Sequence, residues 1–173
     1  EFIDHCVTLK SHDFRVNNIS ASIKVLLENP LIDIDEQLMT QVILNVFSNA
    51  EQACVKAHGK CHLSILIQEI EEMVRISISD DGLGIPEDNQ TKVFDPFFTT
   101  KEVGVGTGLG LSVSYGIITQ LGGSLWLESY GESGSTFHID FPSLHAKRQQ
   151  ALLDDQGADG AATSQASILV VDD

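Results

Sequence analysis

Positive charge is what this chain has least of: 10 lysines and arginines stand against 25 aspartates and glutamates over 173 residues, a net charge of −15. Sequence-independent nucleic-acid binding relies on lysine and arginine displacing counterions from phosphates, so no nucleic-acid partner is expected. A nucleotide, if one binds, must be held by local dipoles, a metal ion and single lysines. Long apolar runs are also missing. No stretch approaches the ~18 residues of a membrane-spanning helix, and no charged-then-apolar leader opens the chain, so this segment is not expected to span a membrane. Cysteine is scarce. Cys6, Cys54 and Cys61 are odd in number and lack CxxC spacing, which argues against a disulfide framework or a structural zinc site and for a reducing, cytoplasmic setting. A first residue of Glu1 raises the expectation of a piece of a longer polypeptide, with any targeting or membrane anchor upstream.

What is present is patterned. Ile19, Ala21, Ile23, Val25 and Leu27 share one parity, as do Leu63, Ile65 and Ile67, and Val74, Ile76 and Ile78; this alternation predicts strands. "SLWLESY" and "STFHIDF", joined by "GESG", read as two more strands around a turn. Residues 1–14 read as a short helix. A long helix is predicted from about Glu36 to Ala57, with Asp33 and Glu36 as a capping box. Another starts inside the glycine stretch 104–111 and ends at Gly122-Gly123. Helices and strands interleave without a βαβα rhythm, which predicts an α+β fold: a two-layer sandwich with helices on one face of a mixed sheet.

Three stretches carry candidate chemistry. On the long helix, Leu38, Val42, Val46 and Ala50 form a core face, while Gln41, Asn45, Ser48, Asn49 and Gln52 stack on the opposite face. A solvated helix face favours glutamate and lysine, so two asparagines a turn apart either meet something specific or lie under a polar loop. In "ISISDDGLGIP" a strand delivers Asp80 at its end, and Gly82 and Gly84 follow. An aspartate so placed can accept a hydrogen bond from an exocyclic amine such as that of adenine, although aspartate-glycine turns are common. In "GVGTGLGL" the glycines recur every second residue. That spacing fails the dinucleotide GxGxxG, and the absence of a following lysine fails the P-loop. What remains is an amide nest ending at a helix N-terminus, suited to a polyphosphate, or a flexible hinge.

The ordered blocks "LNVFSNAEQA", "DDGLGIP", "FDPFFTTK" and "GVGTGLGLSVSYGII" resemble the N, G1, F and G2 boxes of the ATP-binding catalytic domain of sensor histidine kinases, in the GHKL ATPase superfamily. The resemblance covers about Asp4 to Pro142 and implies a GHKL-type sandwich with an ATP lid. It implies ATP and Mg²⁺ as cofactors, with Asn49 on the metal, Asn45 assisting catalysis, and Asp80 reading adenine. Gln52, Gly82, Gly84 and Ile85 would border the base, and Gly106, Thr107, Gly108, Leu109 and Gly110 the phosphates. Lys101 would be the catalytic cation near the γ-phosphate. Phe94, Phe97 and Phe98 would pack a lid running from about Glu87 to Val105. Gln52 and Ala53 stand where many relatives carry a basic residue and an aromatic ring, and Val105 where some carry a basic one.

The implied activity is donation of the γ-phosphoryl group to a histidine on a dimerisation domain of the same protein, in a two-component phosphorelay. His12, in "SHDFRVN", mimics an acceptor box but sits too close to the asparagine helix and leads into a strand, so the acceptor is expected upstream of Glu1. Alternatives are a GHKL ATPase that cycles by hydrolysis, which Asn45 in place of glutamate disfavours, and a nucleotide sensor without transfer. The expected organisation is a catalytic domain over 1–144 and a polar linker over 145–166. Residues 167–173, within "SILVVDD", resemble the first strand of a receiver domain, with Asp172 and Asp173 in its acidic site; a receiver, C-terminal or separate, is thus an expected partner.

Overall fold

A computed structural model describes residues 2–27, 32, 34–100, 106–129 and 133–143. Asp33, Lys101, Val105, the segment 145–166 and the run 167–173 lie outside the described residues. Two short helices, α1 (Phe2–Leu9) and α2 (Ser11–Val16), precede β1 (Ile19–Val25) and the long α3 (Glu36–His58). Then come β2 (Cys61–Ile70), β3 (Met73–Asp80), α4 (Glu87–Gln90), α5 (Gly110–Gln120), β4 (Ser124–Ser129) and β5 (Ser135–Pro142). The strands form one five-stranded sheet in the order β1-β2-β3-β5-β4. β1 and β2 run parallel and the other pairs antiparallel, so the sheet is mixed, as expected.

The apolar face of α3 supplies the core. Met39, Val42, Ile43, Val46 and Phe47 have no exposed surface, and they pack with Leu63, Ile65, Ile78 and Ile139 of the sheet. Period-two alternation puts the other strand residues on the outer face. There Arg75 grips Asp140 through two bonds of 2.7 and 2.8 Å, Trp126 stacks on His138 with centroids 3.9 Å apart, and Ser77 meets His138 at 2.9 Å. These contacts satisfy polar groups that β3 and β5, in mid-sheet, bury.

Three expectations change, and one short helix is added. The single helix over 1–14 is two, broken at Lys10, whose ammonium pairs with Asp13 and with Glu51 of α3. The cap of α3 is Asp35, which accepts from the amides of Gln37 and Leu38 at 2.9 and 3.0 Å; its side chain lies within reach of these otherwise unsatisfied N–H groups. Helix α4, only four residues long, has no period to betray it. The cysteines are not all free: Cys54 and Cys61 are joined, with Cα atoms 5.1 Å apart. A left-handed turn at Gly59 reverses the chain, so the last turns of α3 and the first residue of β2 face each other.

Candidate functional site

The polar face of α3 looks into a cavity of about 850 Å³. Asn45, Ser48, Asn49 and Gln52 form one wall, Asp80 with Gly84 and Ile85 another, and Gly106, Thr107, Gly108 and Gly110 a third. Ten of the predicted site residues therefore converge on one space. Gly82 and Leu109 are not among its lining residues, and Lys101 lies outside the described residues.

Asn45 is oriented by its neighbours. Its amide nitrogen donates to the Gly110 carbonyl and to Ser114 Oγ, both at 3.2 Å, and Ser114 Oγ itself donates to Gly110 O at 2.9 Å. These bonds tie α3 to the first turn of α5 and leave the Asn45 carbonyl oxygen as the group to offer a ligand. Because α5 begins at Gly110 on the cavity wall, its unsatisfied amides and partial positive charge also serve that end.

Asp80 occupies the floor, with 8% of its surface exposed. Burial disfavours the charged form and pushes its pKa up to about 6; the amides of Gly82 and Ser135 oppose the shift, and the nearby Asp81 carboxylate adds to it. Gly82 N donates to Asp80 Oδ1 at 2.9 Å. Gly82 itself sits beneath the floor: a Cβ there would lie 2.8 Å from Asp80 Oδ1 and 2.9 Å from Ala53, so only glycine lets this turn approach α3. The next residues are braced too, since Ile85 N donates to Ser129 Oγ at 2.8 Å and Gln90 of α4 donates to Ile85 O at 2.9 Å.

The third wall depends on Gly108, at φ +65°. Its carbonyl accepts from Phe97 N at 2.9 Å, and a Cβ there would sit 2.6 Å from the Phe97 carbonyl oxygen. Of the three phenylalanines expected to pack, Phe94 does so, against Tyr115 and Phe137 at 5.5 and 6.5 Å, and Phe98 lines the cavity. Phe97 is 74% exposed, at a left-handed φ of 67°, and it is its backbone amide that engages this wall, by donating to the Gly108 carbonyl.

Several lining residues escaped the sequence reading. Lys56 follows Gln52 by one turn, so extending the same stripe would have found it, and it brings a cation to the cavity. Asn17 and Glu51 are 34 residues apart and bond at 2.5 Å, with Lys10 2.9 Å from the other Glu51 oxygen; no local pattern announces that pair. Glu51 and Asp80 are the carboxylates among the described lining residues, and each is held: Glu51 by Lys10 and Asn17, Asp80 by Gly82.

Residues 34–145, well over half of the chain, match the histidine kinase-, DNA gyrase B- and HSP90-like ATPase family. The chain belongs to that family. The sensor histidine kinase ZraS of Escherichia coli K12 is 38% identical over 140 residues, covering 81% of this chain and 29% of ZraS. The sensor kinase CckA of Brucella abortus is 53% identical over 73 residues, 42% of this chain and 8% of CckA. The chain thus spans under a third of the length of these curated relatives. Among solved structures, the nucleotide-free catalytic domain of the histidine kinase ThkA superposes with a TM-score of 0.71 at 32% identity, covering 82% of this chain and 92% of that one. Full-length ShkA, solved with AMPPNP, shares the fold with a TM-score of 0.72 at 24% identity. The α/β sandwich inferred from the four boxes is therefore the fold of the histidine kinase branch of this ATPase family.

Proposed function

We propose that this domain binds Mg-ATP and donates the γ-phosphoryl group to a histidine on a dimerisation domain outside the chain. One observation carries the reading: Asn45, Asn49 and Asp80 face a single cavity whose far wall is a glycine loop ending at the N-terminus of α5. Asp80, ionised above about pH 6, would accept from the adenine amino group, and the glycine amides with Lys101 would receive the phosphates. Mg²⁺ takes hard oxygen ligands and keeps several waters, so one or two amide oxygens plus phosphates suffice to hold it. Asn49, half-buried on the cavity wall, fits as its ligand, and Asn45 adjoins it one turn earlier. The metal would supply charge neutralisation on the phosphates.

Transfer is favoured over hydrolysis because the described cavity wall presents no carboxylate disposed to activate water: Glu51 and Asp80 are both engaged. A histidine acceptor is largely neutral near pH 7 and needs positioning rather than a strong base. ThkA has been solved in complex with a response regulator, and on that analogy a receiver is the second partner here. The "ILVVDD" run is proposed as the opening of such a receiver. No helix among the described residues is long and apolar enough to cross a membrane, and a cytoplasmic location is proposed because ATP is there.

Titration with Mg-ATP, followed by mixing with the histidine-bearing helical hairpin, tests the reading. Binding and acid-labile labelling of the hairpin are expected, and Asn49→Asp is expected to weaken Mg-ATP binding. Rapid phosphate release without any hairpin would favour the cycling ATPase instead.

A further inference from the structure

We infer that Cys54 and Cys61 form a reversible dithiol–disulfide pair that adjusts nucleotide affinity from behind the base end of the cavity; this rests on reading Asp80 as the adenine acceptor. Cys54 lies near the end of α3 and Cys61 opens β2, with Cα atoms 5.1 Å apart and the sulfurs joined. The pair abuts the floor in two ways. Ala53, the residue before Cys54, is the surface on which Gly82 packs, with no room for a Cβ. Asp81, beside Asp80, holds β2 by accepting from His62 N at 2.8 Å, and the same oxygen lies 3.4 Å from Cys54 Sγ.

The two redox states differ at those contacts. When joined, the pair pins the end of α3 to β2 and braces Ala53 under Gly82. When reduced, the sulfurs must part to a non-bonded separation of roughly 3.5–4.0 Å, and the Cys54 thiol becomes a donor to Asp81. The turn carrying Asp80 and Gly82 then loses its fixed backing, and a shift on the order of 1 Å at a positioned group is enough to weaken a site. Disulfides in reducing compartments are mostly transient, catalytic or redox-sensing, which suits a switch better than a staple.

The oxidant is a low-molecular-weight disulfide, RSSR. Cys61, with 4% exposure against 0% for Cys54, attacks as thiolate and displaces one RS⁻ to give a mixed disulfide. The Cys54 thiolate then attacks the Cys61 sulfur and displaces the second RS⁻. Two electrons pass to RSSR, and the two thiol protons end on two RSH; excess RSH reverses both steps.

The test equilibrates the protein in glutathione buffers of graded ratio. Mass spectrometry of a non-reduced digest follows the Cys54–Cys61 linkage, while trinitrophenyl-ATP fluorescence follows nucleotide affinity. The linkage is expected to form and reverse, with at least threefold tighter binding in the oxidised state, and Cys61→Ser is expected to show one redox-insensitive affinity. The wild-type titration decides the matter even where the variant folds poorly. No linkage in any buffer, or linkage without a change in affinity, would overturn the proposal. So would one tightly held zinc equivalent that blocks oxidation, since Cys54, Cys61 and Asp81 bring ligand atoms within 4.8 Å of one another. If Asp80→Asn binds as tightly as wild type in both states, the reading of the base end fails instead, and the mass spectrum still reports on the pair.

Discussion

Replacing Asp80 with asparagine should make the free domain more stable and the nucleotide complex weaker. In the folded chain the pKa of Asp80 rises from 3.8 to about 6, chiefly through burial. Below about pH 4 the group is protonated in both folded and unfolded chains and costs nothing. Between about pH 4 and 6 the folded state holds a proton that the unfolded state has released, so stability falls as pH rises. Above about 6 both are ionised, and the folded state carries the full desolvation cost, roughly 3 kcal/mol at 1.36 kcal/mol per pKa unit. With 8% exposure, solvent screening removes little of this. Asparagine keeps an oxygen for the Gly82 amide and is never ionised. The variant should match wild type near pH 4 and exceed it by about 3 kcal/mol at pH 7.5, or about 6–12 °C in melting temperature for a domain of this size. Losing the charged acceptor should weaken ADP binding about 10- to 100-fold, the range for a hydrogen bond to a charged group. Urea denaturation at pH 4 and 7.5 and calorimetric titration with Mg-ADP measure both effects. A variant that is less stable at pH 7.5, or that binds Mg-ADP as tightly as wild type, would refute the assignment.

Gly108→Ala forces a side chain into a left-handed position against the Phe97 backbone; strain of about 1–3 kcal/mol should appear as roughly 10- to 100-fold weaker Mg-ADP binding with little change in circular dichroism. Arg75→Ala removes the cation from the Asp140 carboxylate, 9% exposed, leaving it the Trp126 Nε1 bond at 3.2 Å, and should cost about 1–3 kcal/mol in urea denaturation while Mg-ADP affinity holds, because the pair lies on the sheet face away from the cavity. Lys56→Ala should weaken Mg-ADP binding about two- to fivefold at low salt and less at high salt, as expected for an exposed charge.

Local periodicity made much of the fold legible. The five strands and α3 follow from alternation and helical spacing that burial then enforces, as at Leu63, Ile65, Val42 and Val46. Asparagines on one helix also keep their relative geometry wherever the helix goes, so Asn45 and Asn49 were readable together. Features that depend on tertiary register were not. Asp33 and Asp35 have the same chemistry two residues apart, and only the start of the helix decides which one caps. Cys54 and Cys61 became neighbours through a helix end, a glycine turn and a strand start, a path that cysteine spacing does not describe. The Lys10–Glu51–Asn17 cluster joins three segments with no shared period. Phe97 shows a role that its residue type does not announce: 74% exposed, it meets the glycine loop through its backbone amide on the Gly108 carbonyl.

The most direct test of the central claim is phosphoryl transfer itself. The domain is incubated with γ-labelled ATP and Mg²⁺ together with the histidine-bearing hairpin, and label on the hairpin is followed through acid and base treatment. Acid-labile, base-stable labelling that depends on Asn49 and on the hairpin histidine is the predicted result. Steady release of labelled phosphate with an unlabelled hairpin would contradict it.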